Sequence, residues 1–193
     1  NGWTGWGSVA GYLPALMQKL GVEIKADAIL VFAIVYGFMA AMTAVSMYLV
    51  DRVGRRPLWM TASLIMMVAM FLLGLVYQLQ LSWVVGLGIF CLVALPHALG
   101  FAPLPWLMMS ELFPTRIRAR CVALMTTILW IFMFGSGFVF PILEDLSERL
   151  MGTIAGAMWI FTIINLTALL FGWKWLPETK GITLENIISK AKK

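Results

Sequence analysis

Six stretches of this chain contain no Asp, Glu, Lys or Arg: 3–18, 28–50, 57–78, 82–109, 121–143 and 153–173. A helix needs about 20 apolar residues to cross the hydrocarbon core of a bilayer. A charge at its centre costs about 3 kcal/mol even on insertion scales. Stretches of this length and purity predict an all-α integral membrane protein rather than a soluble core. The expected spans are near 3–20, 27–50, 57–78, 82–109, 119–143 and 153–176, one six-helix bundle over 1–176, followed by a tail over 177–193. The first stretch is short and the chain opens at Asn1 without Met, so it reads as a helix whose beginning is missing. Charged residues make up only 12% of the chain, against about a quarter in soluble domains.

The basic residues orient the bundle. One set of loops holds Arg52, Arg55, Arg56, Arg116, Arg118, Arg120, Lys174, Lys180, Lys190, Lys192 and Lys193. The opposite set holds only Lys19, Lys25 and Arg149. The positive-inside rule therefore predicts that both termini face the cytoplasm, in a multi-pass protein of the plasma or bacterial inner membrane. The net charge of +5 is explained as a topology signal and gives no support to nucleic-acid binding. Cys91 and Cys121 fall at opposite ends of the bundle, tens of ångströms apart, and are not expected to pair. No Cys/His cluster, Ser-His-Asp set or phosphate loop is present, so neither an enzyme, a metal nor a cofactor is indicated.

The tail from Thr183 to Lys193 places Leu184, Ile187, Ile188 and Ala191 at i, i+3, i+4 and i+7, with Thr183 as N-cap and Glu185 in the first turn. This pattern predicts a short amphipathic helix lying on the membrane or the bundle. Asn165-Leu-Thr167 fits a glycosylation acceptor but lies mid-span, out of reach of that chemistry.

Two loops carry more than topology. Asp51-Arg52-Val53-Gly54-Arg55-Arg56-Pro57 is a tight turn with Asp51 and Arg55 at i, i+4. Glu111-Leu-Phe-Pro-Thr-Arg116-Ile-Arg118-Ala-Arg120 sets an acid at the end of one span against bases at the start of the next. Carboxylates and guanidiniums of this kind can pair, and pairs made in only one conformation bias a two-state equilibrium.

DRVGRRP, PLPWLMMSELFPTRIRAR and LPETKGITLE resemble the signatures of the sugar porter family of the major facilitator superfamily, in the order and spacing of that family's C-terminal half. GYLP, from Gly11 to Pro14, is similar to the Tyr-Tyr-x-Pro of its helix 7. The resemblance implies helices 7–12 of a twelve-helix transporter, cut within helix 7, in which two six-helix halves rock about a mid-membrane site. It assigns Asp51, Arg55, Arg56, Glu111 and Arg118, with Glu178 in the tail, to a cytoplasmic gate. It assigns Trp106 and Trp130 to packing against a bound sugar, with Tyr12, Asn1 and Met39 at further solute-site positions. The implied partners are a small-molecule solute, a proton as candidate co-substrate, the lipid bilayer and the N-terminal six-helix half. In proton-linked members the coupling carboxylate belongs to that other half.

Several site positions depart from the family pattern. Two glutamines of helix 7 are replaced by Asn1 and Gly2, and an asparagine by Gly7. Met39 stands where helix 8 often has Asn, and Leu129 and Ile131 flank Trp130 where helix 11 commonly offers Asn. Carboxamides suit vicinal hydroxyls because they both donate and accept, and each buried hydroxyl left unpaired costs about 1–3 kcal/mol. The leading expectation is sugar transport. A porter of a less hydroxylated solute is the alternative that these losses raise, and a non-transporting nutrient sensor or an inactive fragment is the alternative from another class. His97, in Leu95-Pro96-His97-Ala98-Leu99-Gly100, is the one ionisable side chain deep in a span. It reads either as a solute or proton site or as a neutral ring bonded to a carbonyl freed by Pro103 or Pro105.

Overall fold

The computed structural model describes residues 2–22, 27–178 and 180; Asn1 and the amphipathic helix expected over 183–193 lie outside them. Among the described residues the chain is almost wholly helical: α1 (Trp6–Gly11), α2 (Leu13–Gln18), α3 (Asp27–Val53), α4 (Arg55–Gln78), α5 (Trp83–Pro96), a π-helical turn (His97–Phe101), α6 (Pro103–Glu111), α7 (Thr115–Met151) and α8 (Ala155–Lys174). Among the described residues, five segments are long and apolar enough to cross a membrane: Ile29–Val53, Arg55–Gln78, Trp83–Glu111, Thr115–Met151 and Ala155–Lys174.

The opening stretch differs from the single helix expected over 3–20. Gly5 takes a left-handed conformation (φ 99°) before α1, and the helix breaks at Tyr12 (φ −103°, ψ 8°) before resuming as α2. The cause is Pro14, which has no N–H to give Ala10. Tyr12 N–H still makes the ordinary helical bond, to the Ser8 carbonyl at 3.1 Å, and closes α1.

The stretch expected as one helix over 82–109 is three pieces. At its middle the Ala102 N–H reaches back five residues to the His97 carbonyl at 2.7 Å, which defines the π turn. Pro96, Pro103 and Pro105 crowd this segment, and prolines and π turns are established causes of kinks in helices. The α7 helix runs from Thr115 to Met151, well beyond the 119–143 expected. At 1.5 Å per residue it is roughly 55 Å long, far more than a bilayer core requires.

Helix α4 sits at the centre, burying Leu58, Ala62, Met66, Ala69, Met70 and Leu73. It packs most extensively on α8, and next on α5. The α4–α8 pair is interlocked at both ends by a glycine under a tryptophan. A Cβ on Gly74 would lie 2.3 Å from Trp159 Nε1, and one on Gly172 would lie 2.6 Å from Trp59 Cδ1. Close packing of this kind drives helix association in lipid, where no hydrophobic effect separates helix from solvent. The arginine-bearing turns and the α8 C-terminus gather at one end of the bundle, and the α2 C-terminus, Gln78 and the end of α7 at the other. Helix α7 is the least covered: Trp130, Ile131, Phe134 and Phe138 are all exposed.

Candidate functional site

The π turn positions His97. Its ring stacks on Trp6 of α1, centroids 5.2 Å apart and planes 22° from parallel, and Trp6 in turn meets Tyr36 of α3 at 6.0 Å. His97 Nδ1 is buried and has no hydrogen-bond partner. The carbonyl that Pro103 leaves without a helical donor belongs to Leu99, and it is taken by the buried Ser46 hydroxyl at 2.7 Å. At Leu99, one of the carbonyls expected as partners for His97, the acceptor is thus engaged by a hydroxyl from α3.

Trp106 on α6 and Trp130 on α7 are both exposed, at 44% and 57%. Between these helices and the start of the chain lies an open pocket of about 360 Å³ lined by Trp3, Met109, Met125, Ile128, Leu129 and Phe132, with Gly2 at its edge. Gly2 is there because its backbone presses on α7: a Cβ would come within 3.0 Å of Met133 N. The other expected solute residues are placed differently. Tyr12 donates to the Gly137 carbonyl at 3.4 Å and packs on Phe140, which ties the helix break to α7. Met39 is half-buried against the core, and its carbonyl accepts from Thr43 at 2.9 Å.

At the arginine end, Arg55 Nη2 donates to Glu111 Oε1 at 2.6 Å, and Asp51 stands 3.8 Å from the same nitrogen. Arg55 also reaches the Val50 carbonyl at 3.3 Å. The pair is mostly withdrawn from water, with side-chain exposures of 12% for Arg55 and 25% for Glu111. It joins the start of α4 to the end of α6. Glu178, from the segment after α8, accepts from the backbone N–H groups of Arg55 and Arg56 at 3.0 and 3.1 Å. This places a carboxylate on the positive end of α4. Gly54 has φ 99°, and a Cβ there would sit 2.8 Å from Glu178 Oε2, so both the turn and the docked acid require glycine. Lys180 closes this corner, its ammonium on the Arg52 carbonyl.

Two residues expected in this network point elsewhere. The Arg56 guanidinium donates to the carbonyls of Gly172 and Trp173, at 3.4 and 2.5 Å, and so caps α8. Arg118 Nε donates to the Phe113 carbonyl at 3.2 Å and braces its own loop. In both cases a helix end or tight turn offers unsatisfied carbonyls within reach.

The opposite end has a cluster that the sequence did not single out. Lys19, beyond the last turn of α2, reaches Glu144 at 2.6 Å and also Glu148, both on α7. Burial works against its charge, but hydrogen bonds to Glu144 and Glu148 and their charges outweigh it. The Lys19 pKa is therefore raised above the usual lysine value. Asn165, fully buried in α8, donates to the carbonyls of Thr4 and Phe161, each at 2.8 Å, and fixes the approach to α1. A single Asn in an apolar run was the visible signal for it.

The sequence profile of the family described as sugar (and other) transporter matches residues 2–190. The chain belongs to this family. It is 34% identical, over 97% of its length, to D-xylose-proton symporter-like 1 of Arabidopsis thaliana, and covers 36% of that protein. It is 31% identical, over 97% of its length, to the facilitated trehalose transporter Tret1 of Drosophila pseudoobscura pseudoobscura, and covers 22% of it. Its fold matches the solved structure of the major facilitator superfamily proton:xylose symporter XylE bound to 6-bromo-6-deoxy-D-glucose. The TM-score is 0.85 at 29% identity, over 97% of this chain and 40% of that one. The chain thus spans roughly a third of the length of the first of these relatives. This sugar-transporter-family chain is a multi-pass membrane protein and not an enzyme.

Proposed function

We propose that this chain forms the C-terminal six-helix half of a sugar transporter that works by alternating access, with both of its termini and its arginine end in the cytoplasm. The observation that carries the reading is the Arg55–Glu111 pair. Glu111 ends the same helix, α6, that presents Trp106 five residues earlier. A change in the tilt of α6 on solute binding would therefore strain or release the pair. Hydrogen bonds to charged groups are worth about 1.5–3 kcal/mol, and a lock of about that size made in one state shifts the equilibrium by one to two orders of magnitude.

In this reading Trp106 and Trp130 offer flat faces to the apolar side of a sugar ring. His97 Nδ1, buried under the Trp6 stack and without a partner, would meet a hydroxyl in a state that opens this stack. The remaining hydroxyl partners come from the half that rocks against this one. Sugar is favoured over a less hydroxylated solute by the relatives, which are named for xylose and trehalose. A proton as co-substrate is supported by the symporter names among them, and the positive-inside rule supports the orientation.

The test is uptake of labelled D-xylose, trehalose, a hexose and a non-sugar amine into proteoliposomes. The protein is this chain carried in a protein of its relatives' length. Saturable uptake of at least one sugar, weakened by Trp106→Ala, is expected. Uptake of the amine alone would overturn the reading.

A further inference from the structure

A groove of about 510 Å³ runs between α4 and α8 at the arginine end, lined by Arg56, Pro57, Met60, Thr61 and Leu64 on α4 and by Leu169 on α8. Apart from Arg56 its walls are apolar in effect, since the Thr61 hydroxyl donates back to the Pro57 carbonyl at 2.5 Å. From Arg56 to Leu64 the groove follows about 12 Å of helix. Leu64, Val68 and Phe71 continue along α4 as an exposed apolar wall, so the groove opens to the hydrocarbon.

The charge at its mouth lies at a definable depth. Arg56 is bonded to the carbonyl of Trp173, and Trp173 and Trp175 are each 63% exposed. Lys174 stands between them, with its ammonium 4.9 Å from the centre of the Trp175 ring. Exposed tryptophans beside lysines collect at the headgroup level of a bilayer. The guanidinium therefore stands at phosphate depth with an apolar channel below it. Nε and Nη2 bond the two α8 carbonyls, and a guanidinium has five N–H donors in a fork suited to phosphate.

We propose that this groove is a binding site for an anionic phospholipid, with its phosphate on Arg56 and an acyl chain along Met60, Leu64 and Leu169. Charge selects the lipid class. Arg52, Arg55, Arg56, Lys174 and Lys180 gather at this end against three acids: Glu111 is held by Arg55, Glu178 by the start of α4, and Asp51 stands 3.8 Å from Arg55. Basic residues at this depth attract the anionic lipids of the leaflet. The site is independent of the solute and rests only on the membrane-spanning fold.

Native mass spectrometry of the full chain, with equimolar phosphatidylglycerol and phosphatidylcholine in the micelle, tests it. Phosphatidylglycerol adducts are expected to exceed phosphatidylcholine adducts several-fold. Arg56→Gln should bring the ratio near one, and Arg56→Lys should keep part of it. Leu64→Trp, which fills the groove and leaves the α8 cap intact, should remove most retained lipid with helicity by circular dichroism unchanged. Arg120→Gln, an exposed arginine outside the groove, should leave the ratio as it was. Equal retention of the two lipids by the parent chain would overturn the proposal. So would an equal loss in Arg120→Gln, which would mean diffuse surface charge, or undiminished retention in Leu64→Trp.

Discussion

The Ser46 hydroxyl on α3 donates to the Leu99 carbonyl at 2.7 Å, and that carbonyl is the one Pro103 strips of its helical partner. The bond fastens the π turn to α3 and so holds the bend that carries His97 and Trp106. Ser46 is buried and Leu99 partly so. Replacing Ser46 with Ala should cost about 1 kcal/mol, within the range measured for side-chain hydrogen bonds between membrane helices. Ser63→Ala is the matched control, since Ser63 bonds the Trp59 carbonyl within its own unbroken helix. Thermal unfolding in detergent should show a lower midpoint for Ser46→Ala and little change for Ser63→Ala. Equal midpoints would remove Ser46 from this role.

His97 is held by its stack on Trp6 and has an idle, buried Nδ1. His97→Phe keeps an aromatic ring for the stack and deletes the nitrogen. Stability should therefore be unchanged or slightly higher, because an unpaired buried polar atom has gone. Sugar uptake should weaken through a higher KM of about tenfold, the equivalent of one hydrogen bond of about 1.4 kcal/mol. Unaltered uptake kinetics would place His97 among the packing residues.

Lys19 holds Glu144 and Glu148, which stand at i, i+4 on α7 and would repel each other without it. Its pKa is raised in the folded chain. The stabilisation is therefore fully present below 10.5, the ordinary lysine value, and fades as pH rises through the higher folded value. Lys19→Gln should lower the unfolding midpoint at neutral pH, and the gap to the parent should close as the pH is taken above 10.5. A gap that widens with alkali would contradict this linkage.

The absence of charge was enough to locate the apolar segments because a bilayer penalises charge whatever its neighbours are. It is silent on where a helix ends, since backbone hydrogen bonding continues into water. For that reason α7 passes Glu144 and Glu148 and runs on to Met151. Pro103 announced a freed carbonyl in its helix but does not show which group will satisfy it; Ser46 is 53 residues from Leu99. Pro14 reads only as part of a family motif, which does not foretell the break before it. The Arg55–Glu111 pair lay in motifs that resemble a known family, and the structure brings those two side chains together. Arg56 and Arg118 lay in the same motifs yet serve nearby carbonyls, because a guanidinium takes whichever acceptor is in reach. The Trp6–His97 stack had no sequence signal beyond two aromatic rings in different spans.

The account turns on the Arg55–Glu111 pair working as one lock. The direct measurement is a double-mutant cycle on sugar uptake with Arg55→Gln, Glu111→Gln and the two combined, in a protein of the relatives' length. Each single change should slow uptake by about tenfold, as expected when a lock of about 1.4 kcal/mol is lost. The double variant should be no slower than the worse single one, because the second change has nothing left to break. Slowing that multiplies in the double variant, or uptake untouched by either change, would contradict the lock.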